Sequence, residues 1–173
     1  MLTPIAALLA VGVLVAMVVS GHLRENKQFV RFAPAGVMPE SPDEIDRIEV
    51  TTSAGRREYV RANDGWRAGP AGPFAPRSLA SHLNDSIKFM HVSAPVRVME
   101  RTEWSSLGLR EFGLDPPRLR VVVNRSGASR FAISFGATNV LGLSHYARRE
   151  GDREIALLPG FVAEAWEHVG KAP

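Results

Sequence analysis

Residues 119–135 read LRVVVNRSGASRFAISF. Leu119, Val121 and Val123 alternate with Arg120, Val122 and Asn124, Ser126-Gly127 turns the chain, and Phe131, Ile133 and Phe135 alternate back. A period of two on either side of a Gly-containing turn is the pattern of a β-hairpin with one face toward a core. The pattern recurs in both directions. Upstream, Ile45, Ile48, Val50 and then Tyr59 and Val60 flank Ser53-Ala54-Gly55, predicting strands at about 46–52 and 56–62. Downstream, Ser144 to Arg149 and Glu154 to Leu158 flank the turn Glu150-Gly151-Asp152.

Between the hairpins the period lengthens. Leu79, Leu83, Ile87 and Met90 recur at helical spacing after Pro76, which predicts an amphipathic helix over 76–90. Asn63-Asp64-Gly65 is a turn signal, followed by Trp66 and a Gly/Pro-rich stretch to Pro76. Val92, Val96 and Val98 suggest a strand near 94–99, and Glu103 to Arg110 a short helix stopped by Gly113 and Pro116-Pro117. Pro159-Gly160 opens a last helix carrying Phe161, Val162, Ala165, Trp166 and Val169. The expected class is α+β: an antiparallel sheet built from hairpins with two or three helices, preceded by one N-terminal transmembrane helix.

That last element rests on residues 2–21, LTPIAALLAVGVLVAMVVSG, which carry no charge. A helix of this length is about 30 Å long, the thickness of a bilayer core. Pro4 lies in its first turn, where a missing N–H costs little. Gly12, Ala16 and Ser20 fall on one side and form a candidate helix-packing face, small enough for a second helix to approach closely. A cleaved signal peptide is the competing reading: Val19-Ser20-Gly21 offers small residues at a cleavage point, but the start lacks the usual lysine or arginine. Residues 22–44 form a connector interrupted by Pro34, Gly36, Pro39 and Pro42, and its apolar run makes Phe29, Arg31 and Phe32 candidate partner contacts. The expected division is therefore 1–21 span, 22–44 extended connector and 45–173 extramembrane domain.

The chain has 173 residues, no cysteine, 21 Lys+Arg and 18 Asp+Glu. Absence of cysteine excludes disulfides, thiolate metal sites and a cysteine nucleophile. Only Lys27, Lys88 and Lys171 among the cations are lysine, and acids and bases are interspersed throughout. No basic block stands out, so nucleic acid is not an expected partner.

The run Glu111-Phe112-Gly113-Leu114-Asp115-Pro116-Pro117 resembles the aromatic-Gly-Leu-Asp-x-Pro signature of the DUF4340-like bacterial membrane-anchored domains. Gly65-Trp66 is similar to that family's tryptophan after the first hairpin. Phe135-Gly136, then Gly142 and Tyr146-Ala147-Arg148 before Gly151, resemble a later stretch of that family. The similarity covers about Ile45 to Leu158 and marks Trp66, Gly113, Leu114, Asp115, Pro116, Gly136 and Tyr146 as fold-signature residues. It implies an N-terminal membrane helix, a body outside the cytoplasm and, in some members, company with ABC-type export or gliding machinery. It defines no catalytic residue. The charges Arg24, Lys27 and Arg31 after the span argue for the opposite orientation. The family's implication is preferred, and the expected location is the bacterial inner membrane, single-pass, with the C-terminal domain periplasmic.

The five histidines are scattered without HxxxH or HExxH spacing, and there is no GxGxxG, phosphate loop or GxSxG. The carboxylate pairs Asp43/Glu44 and Asp152/Glu154 flank turns, where a general acid–base role lacks the cleft it needs. The expected catalytic, cofactor and metal residues are none. Trp104, Arg148 and Arg149 are further candidate partner contacts, since tryptophan and arginine anchor interfaces. The expected function is non-catalytic: an accessory or scaffolding subunit of an export, photosynthetic or respiratory membrane complex, in contact with lipid and with integral membrane subunits, as one component of a hetero-oligomer. The alternative is an extracytoplasmic small-molecule or glycan-binding domain associated with an ABC-type transporter.

Overall fold

The computed structural model describes residues 35–125 and 129–172, with Gly12 as a single helical residue; of residues 129 and 130 it describes the backbone alone. The chain divides into two compact units, residues 1–33 and 34–173. The second is the body of the protein. The predicted span and the candidates Ala16, Ser20, Phe29, Arg31 and Phe32 lie outside the described residues.

The body is one eight-stranded antiparallel sheet with helices, the α+β class expected from the hairpins. Its strands are β1 (Ile45–Thr52), β2 (Gly55–Ala62), β3 (Gly65–Ala68), β4 (Arg97–Met99), β5 (Leu119–Arg125), β6 (Ser129–Thr138), β7 (Ser144–Arg149) and β8 (Ile155–Pro159). Their spatial order is β3-β2-β1-β5-β6-β7-β8-β4. Two meanders, β1-β2-β3 and β5 to β8, join where β1 pairs with β5. The helices are α1 (Arg77–Val92), the short α2 (Arg101–Trp104) and α3 (Gly160–Lys171).

Alternation along the strands separates two faces. On the inner face Ile48, Val50, Tyr59, Val121, Val123, Ile133 and Phe135 are buried beneath α1 and α3. Those helices supply Leu83, Ile87, Met90, Val162 and Trp166 to the same core. Removing such side chains from water contributes roughly 1.5–3 kcal/mol each. The two helices run antiparallel: His82 meets His168 at 4.3 Å and Phe89 meets Phe161 at 5.2 Å between ring centroids. On the outer face Arg47 pairs with Glu58 at 3.1 Å and Arg56 with Glu49 at 2.8 Å, exposed ties worth about 0–1 kcal/mol each.

Three features depart from the sequence reading. A third strand, β3, extends the first hairpin, and Trp66 on it donates its indole N–H to Asn84 of α1 at 2.9 Å. The helix expected over 103–110 ends at Trp104, and turns follow. The body also begins earlier than Ile45. The Gly36 and Met38 N–H groups donate to the His91 and Met90 carbonyls, and the Met38 side chain is buried in the main core. A short 3-10 turn, Pro42–Glu44, then leads into β1. Arg61 pins that turn by donating to the carbonyls of Ile45 at 2.7 Å and Pro42 at 3.2 Å. Burial pulls its guanidinium pKa below the ordinary value, and Asp43 and Asp46 oppose that shift. No helix among the described residues is long and apolar enough to cross a membrane.

Candidate functional site

The sequence signature assembles on the outer face. Residues 100–117 cross over β6, β7 and β8 and form a second apolar cluster of Trp104, Phe112, Leu114 and Ile155, with Tyr146 packed against it. Local chemistry starts the crossing segment. The Glu100 side chain and the Glu103 backbone, and the Glu103 carboxylate and the Glu100 N–H at 2.8 Å, satisfy each other as a capping box. Arg97 of β4 also binds Glu103.

Gly113 then sits in the left-handed region at φ +64°, where a side chain is strained. The Phe112 carbonyl there accepts the Ala137 N–H of β6 at 2.8 Å. The Phe112 ring meets Tyr146 of β7 edge-on at 5.0 Å. Gly136 lies directly beneath: a Cβ on it would fall 2.1 Å from the Phe112 oxygen. Gly113, Leu114, Gly136 and Tyr146 therefore form one latch holding the crossing segment to the sheet. Asp115 and Pro116, joined by a cis peptide bond, are exposed beyond it. Trp66 stands apart, in the inner core.

Trp104, expected among the partner contacts, is buried in this cluster, and its indole N–H donates to the Arg153 carbonyl at 3.2 Å. Its ring packs with Phe112, Leu114 and Ile155 of the chain's own interior. Arg148 stacks over that ring at 5.7 Å and donates twice to the Asp152 carbonyl, at 3.1 and 2.8 Å. A carbonyl fixes the guanidinium without cancelling its charge.

Beside the latch, Arg120, Ser134 and Arg148 stand opposite one another across β5, β6 and β7. With Leu114, Arg149 and Glu150 they line a recess of about 210 Å³. Arg120 pairs with Glu150 at 3.1 Å and exposed Arg149 with Asp152 at 3.3 Å. Arg148 and Arg149 were legible in the sequence; Arg120 and Ser134 join them only through strand register. Guanidinium groups held in this way suit a carboxylate or other planar anion, which a forked donor can grip at two points.

The pH behaviour of the latch follows from its cap. The Glu100 N–H, with help from Arg97, holds the Glu103 carboxylate below the usual range against a smaller opposing effect of desolvation. A depressed folded-state pKa gives stability above the unfolded pKa that is lost as pH falls through the folded one. Acidification through the carboxylate range is therefore expected to fray α2 and shift the Trp104 indole resonance in NMR spectra. Glu103→Gln should remove that pH dependence. A Trp104 resonance indifferent to acid in the parent chain would refute this coupling.

Among the described residues no group of three or more His, Cys, Asp and Glu side chains gathers as a metal site. Comparison with family models, with curated proteins and with solved structures finds no match for the chain.

Proposed function

We propose that the chain is a non-catalytic accessory or scaffolding subunit of a bacterial inner-membrane complex, of an export, photosynthetic or respiratory kind. One N-terminal helix anchors it, and the body lies on the periplasmic side. The observation that carries this reading is the outer face: its latch uses Gly113, Leu114, Gly136 and Tyr146 for shape and sets Arg120 and Arg148 side by side at a recess that Arg149 also lines. A rigid sheet face displaying oriented guanidinium groups suits an acidic protein surface. The uncharged residues 2–21 and the DUF4340-like resemblance support the anchor and the orientation.

The test is purification of the tagged full chain in mild detergent. The expected result is co-purification with integral membrane subunits at fixed stoichiometry. Arg149→Glu should weaken that association about tenfold, the equivalent of ~1.4 kcal/mol. Deleting residues 1–21 should leave a soluble, folded body. A reporter active only outside the cytoplasm, fused after Pro173, should be active. A monodisperse lone chain would overturn the subunit reading, and an inactive reporter the orientation.

A specific recess favours a second reading, a ligand-binding domain that serves an ABC-type transporter. Tyr59, Pro73, Phe74, Pro76 and Leu79 line a hollow of about 370 Å³ with Arg57 and Glu58 at its rim. Its size falls in the ordinary range for small-molecule sites. Arg67 stacks on Phe74 at 3.9 Å and steadies one wall. This reading predicts a lone monodisperse chain whose melting midpoint rises with a sugar ligand.

A further inference from the structure

The turn between β6 and β7, Asn139-Val140-Leu141-Gly142-Leu143, carries three aliphatic side chains into solvent. Val140 is fully exposed, and Leu141 and Leu143 are 74% and 71% exposed. Single exposed aliphatic residues are ordinary, but a contiguous group marks an interaction surface. The group continues onto α3. The Gly160 N–H donates to the Leu143 carbonyl at 2.9 Å, and the next residue, Phe161, is 47% exposed. From Phe131 to Ala147 the sequence has no Asp, Glu, Lys or Arg.

The turn is also braced from within by Asn139. The Asn139 carbonyl accepts the Gly142 N–H at 2.9 Å, and the Asn139 side-chain oxygen accepts those of Leu143 and Ser144 at 3.0 and 3.1 Å. The Asn139 N–H donates to the Ser144 carbonyl at 2.7 Å. Polar main-chain groups that enter an apolar phase must bring their partners with them, because no water there replaces them. These bonds meet that condition at Asn139, Gly142, Leu143 and Ser144, and the aliphatic side chains stand outside them.

The place where the chain enters the body identifies the occupant. Gly36 is bonded to His91 at the C-terminal end of α1. That end lies against the N-terminal end of α3, because Phe89 stacks on Phe161. The chain thus arrives at the same end of the body as the apolar turn. Residues 22–34, between the uncharged segment and the body, reach at most about 45 Å when fully extended. We infer that the apolar tip formed by Val140, Leu141, Leu143 and Phe161 inserts into the acyl region of the bilayer that holds residues 2–21, fixing the body against the membrane. This rests on the anchor proposed above.

The chain has no cysteine, so Leu141→Cys or Val140→Cys each creates a single site for an environment-sensitive fluorophore. Val140 touches solvent only, which makes its variant a safe second position. Exposed Ser78, near the opposite end of α1, supplies the control Ser78→Cys. The labelled full chains are reconstituted into phosphatidylcholine and phosphatidylglycerol vesicles, with and without lipids carrying a nitroxide on the acyl chain. The expected result is a blue shift at both tip positions and loss of most of their emission to the nitroxide, with the Ser78→Cys label unchanged. Chains that float with the vesicles while the tip labels stay water-like overturn this inference and leave the anchor standing. Chains that do not float overturn both. A tip label that shifts blue in native membranes but is not quenched by lipid nitroxide marks a protein occupant and also overturns it.

Discussion

Gly136→Ala is expected to lower the stability of the body by about 3 kcal/mol, the upper part of the range for overpacking a tight site. The new methyl group would lie 2.1 Å from the Phe112 oxygen and 3.0 Å from the Gly113 carbonyl carbon. Neither neighbour is the end of a flexible side chain. The Phe112 carbonyl is tied to Ala137 at 2.8 Å, so relief requires lifting the crossing segment off the sheet. That movement would open the cluster of Trp104, Leu114 and Ile155. Gly142→Ala provides the comparison: space there is open, and only the left-handed φ of +72° opposes a side chain, at about 1–2 kcal/mol. Urea midpoints of the chain lacking residues 1–21 measure both. Equal midpoints for Gly136→Ala and the parent would show that the latch does not hold the outer face.

Trp166→Ala is expected to cost about 3–5 kcal/mol, the usual loss for deleting a large buried aromatic side chain. Trp166 is fully buried between α3 and the inner face. Against a typical total of about 5–15 kcal/mol for a domain, that loss leaves the body close to unfolding. Near-UV dichroism and the denaturant midpoint should both report it. Trp166→Phe should be far milder. The Trp166 indole nitrogen is buried without a hydrogen-bond partner, so phenylalanine removes an unsatisfied donor, whereas Trp66→Phe breaks a bond to Asn84. If Trp166→Phe proves as damaging as Trp66→Phe, ring volume and not the indole N–H governs both sites.

What could be read from the sequence follows from the range of the interactions involved. The strands of 119–135 announce themselves because alternation and a turn are local, and the same holds for α1 and α3 with their helical spacing. β3 is four residues long, between Asn63-Asp64-Gly65 and a Gly/Pro-rich stretch, and it exists because β2 offers a partner. The helix expected over 103–110 has apolar residues at suitable spacing, but Gly108 at φ +80° turns the chain after α2. Met38 looked like part of a proline-rich spacer; its burial depends on α1, more than fifty residues later by number in the chain. The strand order was not legible, since the β1–β5 and β4–β8 pairings join segments far apart in sequence.

The candidate site divides in the same way. Gly113, Leu114, Gly136 and Tyr146 were visible as a pattern, and the structure supplies the reason: a backbone contact too close for a Cβ, with two rings beside it. The Arg120-Ser134-Arg148 row could not be seen in any single segment, because it runs across three strands. Trp104 reads as a partner contact from its residue type alone, which says nothing of the sheet beneath it. The apolar turn at 140–143 reads in sequence as a loop between two strands; only its exposure sets it apart.

The ends of the sheet bear on how copies of this protein can coexist when crowded. An eight-stranded open sheet has two strands with unpaired edges, and such edges recruit further strands from neighbouring molecules. Here the two are β3 and β4, four and three residues long. β3 is followed by a return of the chain that bonds Ala75 to Trp66 at 2.7 Å and Ala68 to Pro73 at 3.0 Å, covering its outer side. β4 follows Pro95 and carries Arg97, a proline and a charge of the kind that discourages edge pairing. The width of the sheet is thus set by its own borders, and crowded copies are kept from fusing into a continuous β-ribbon.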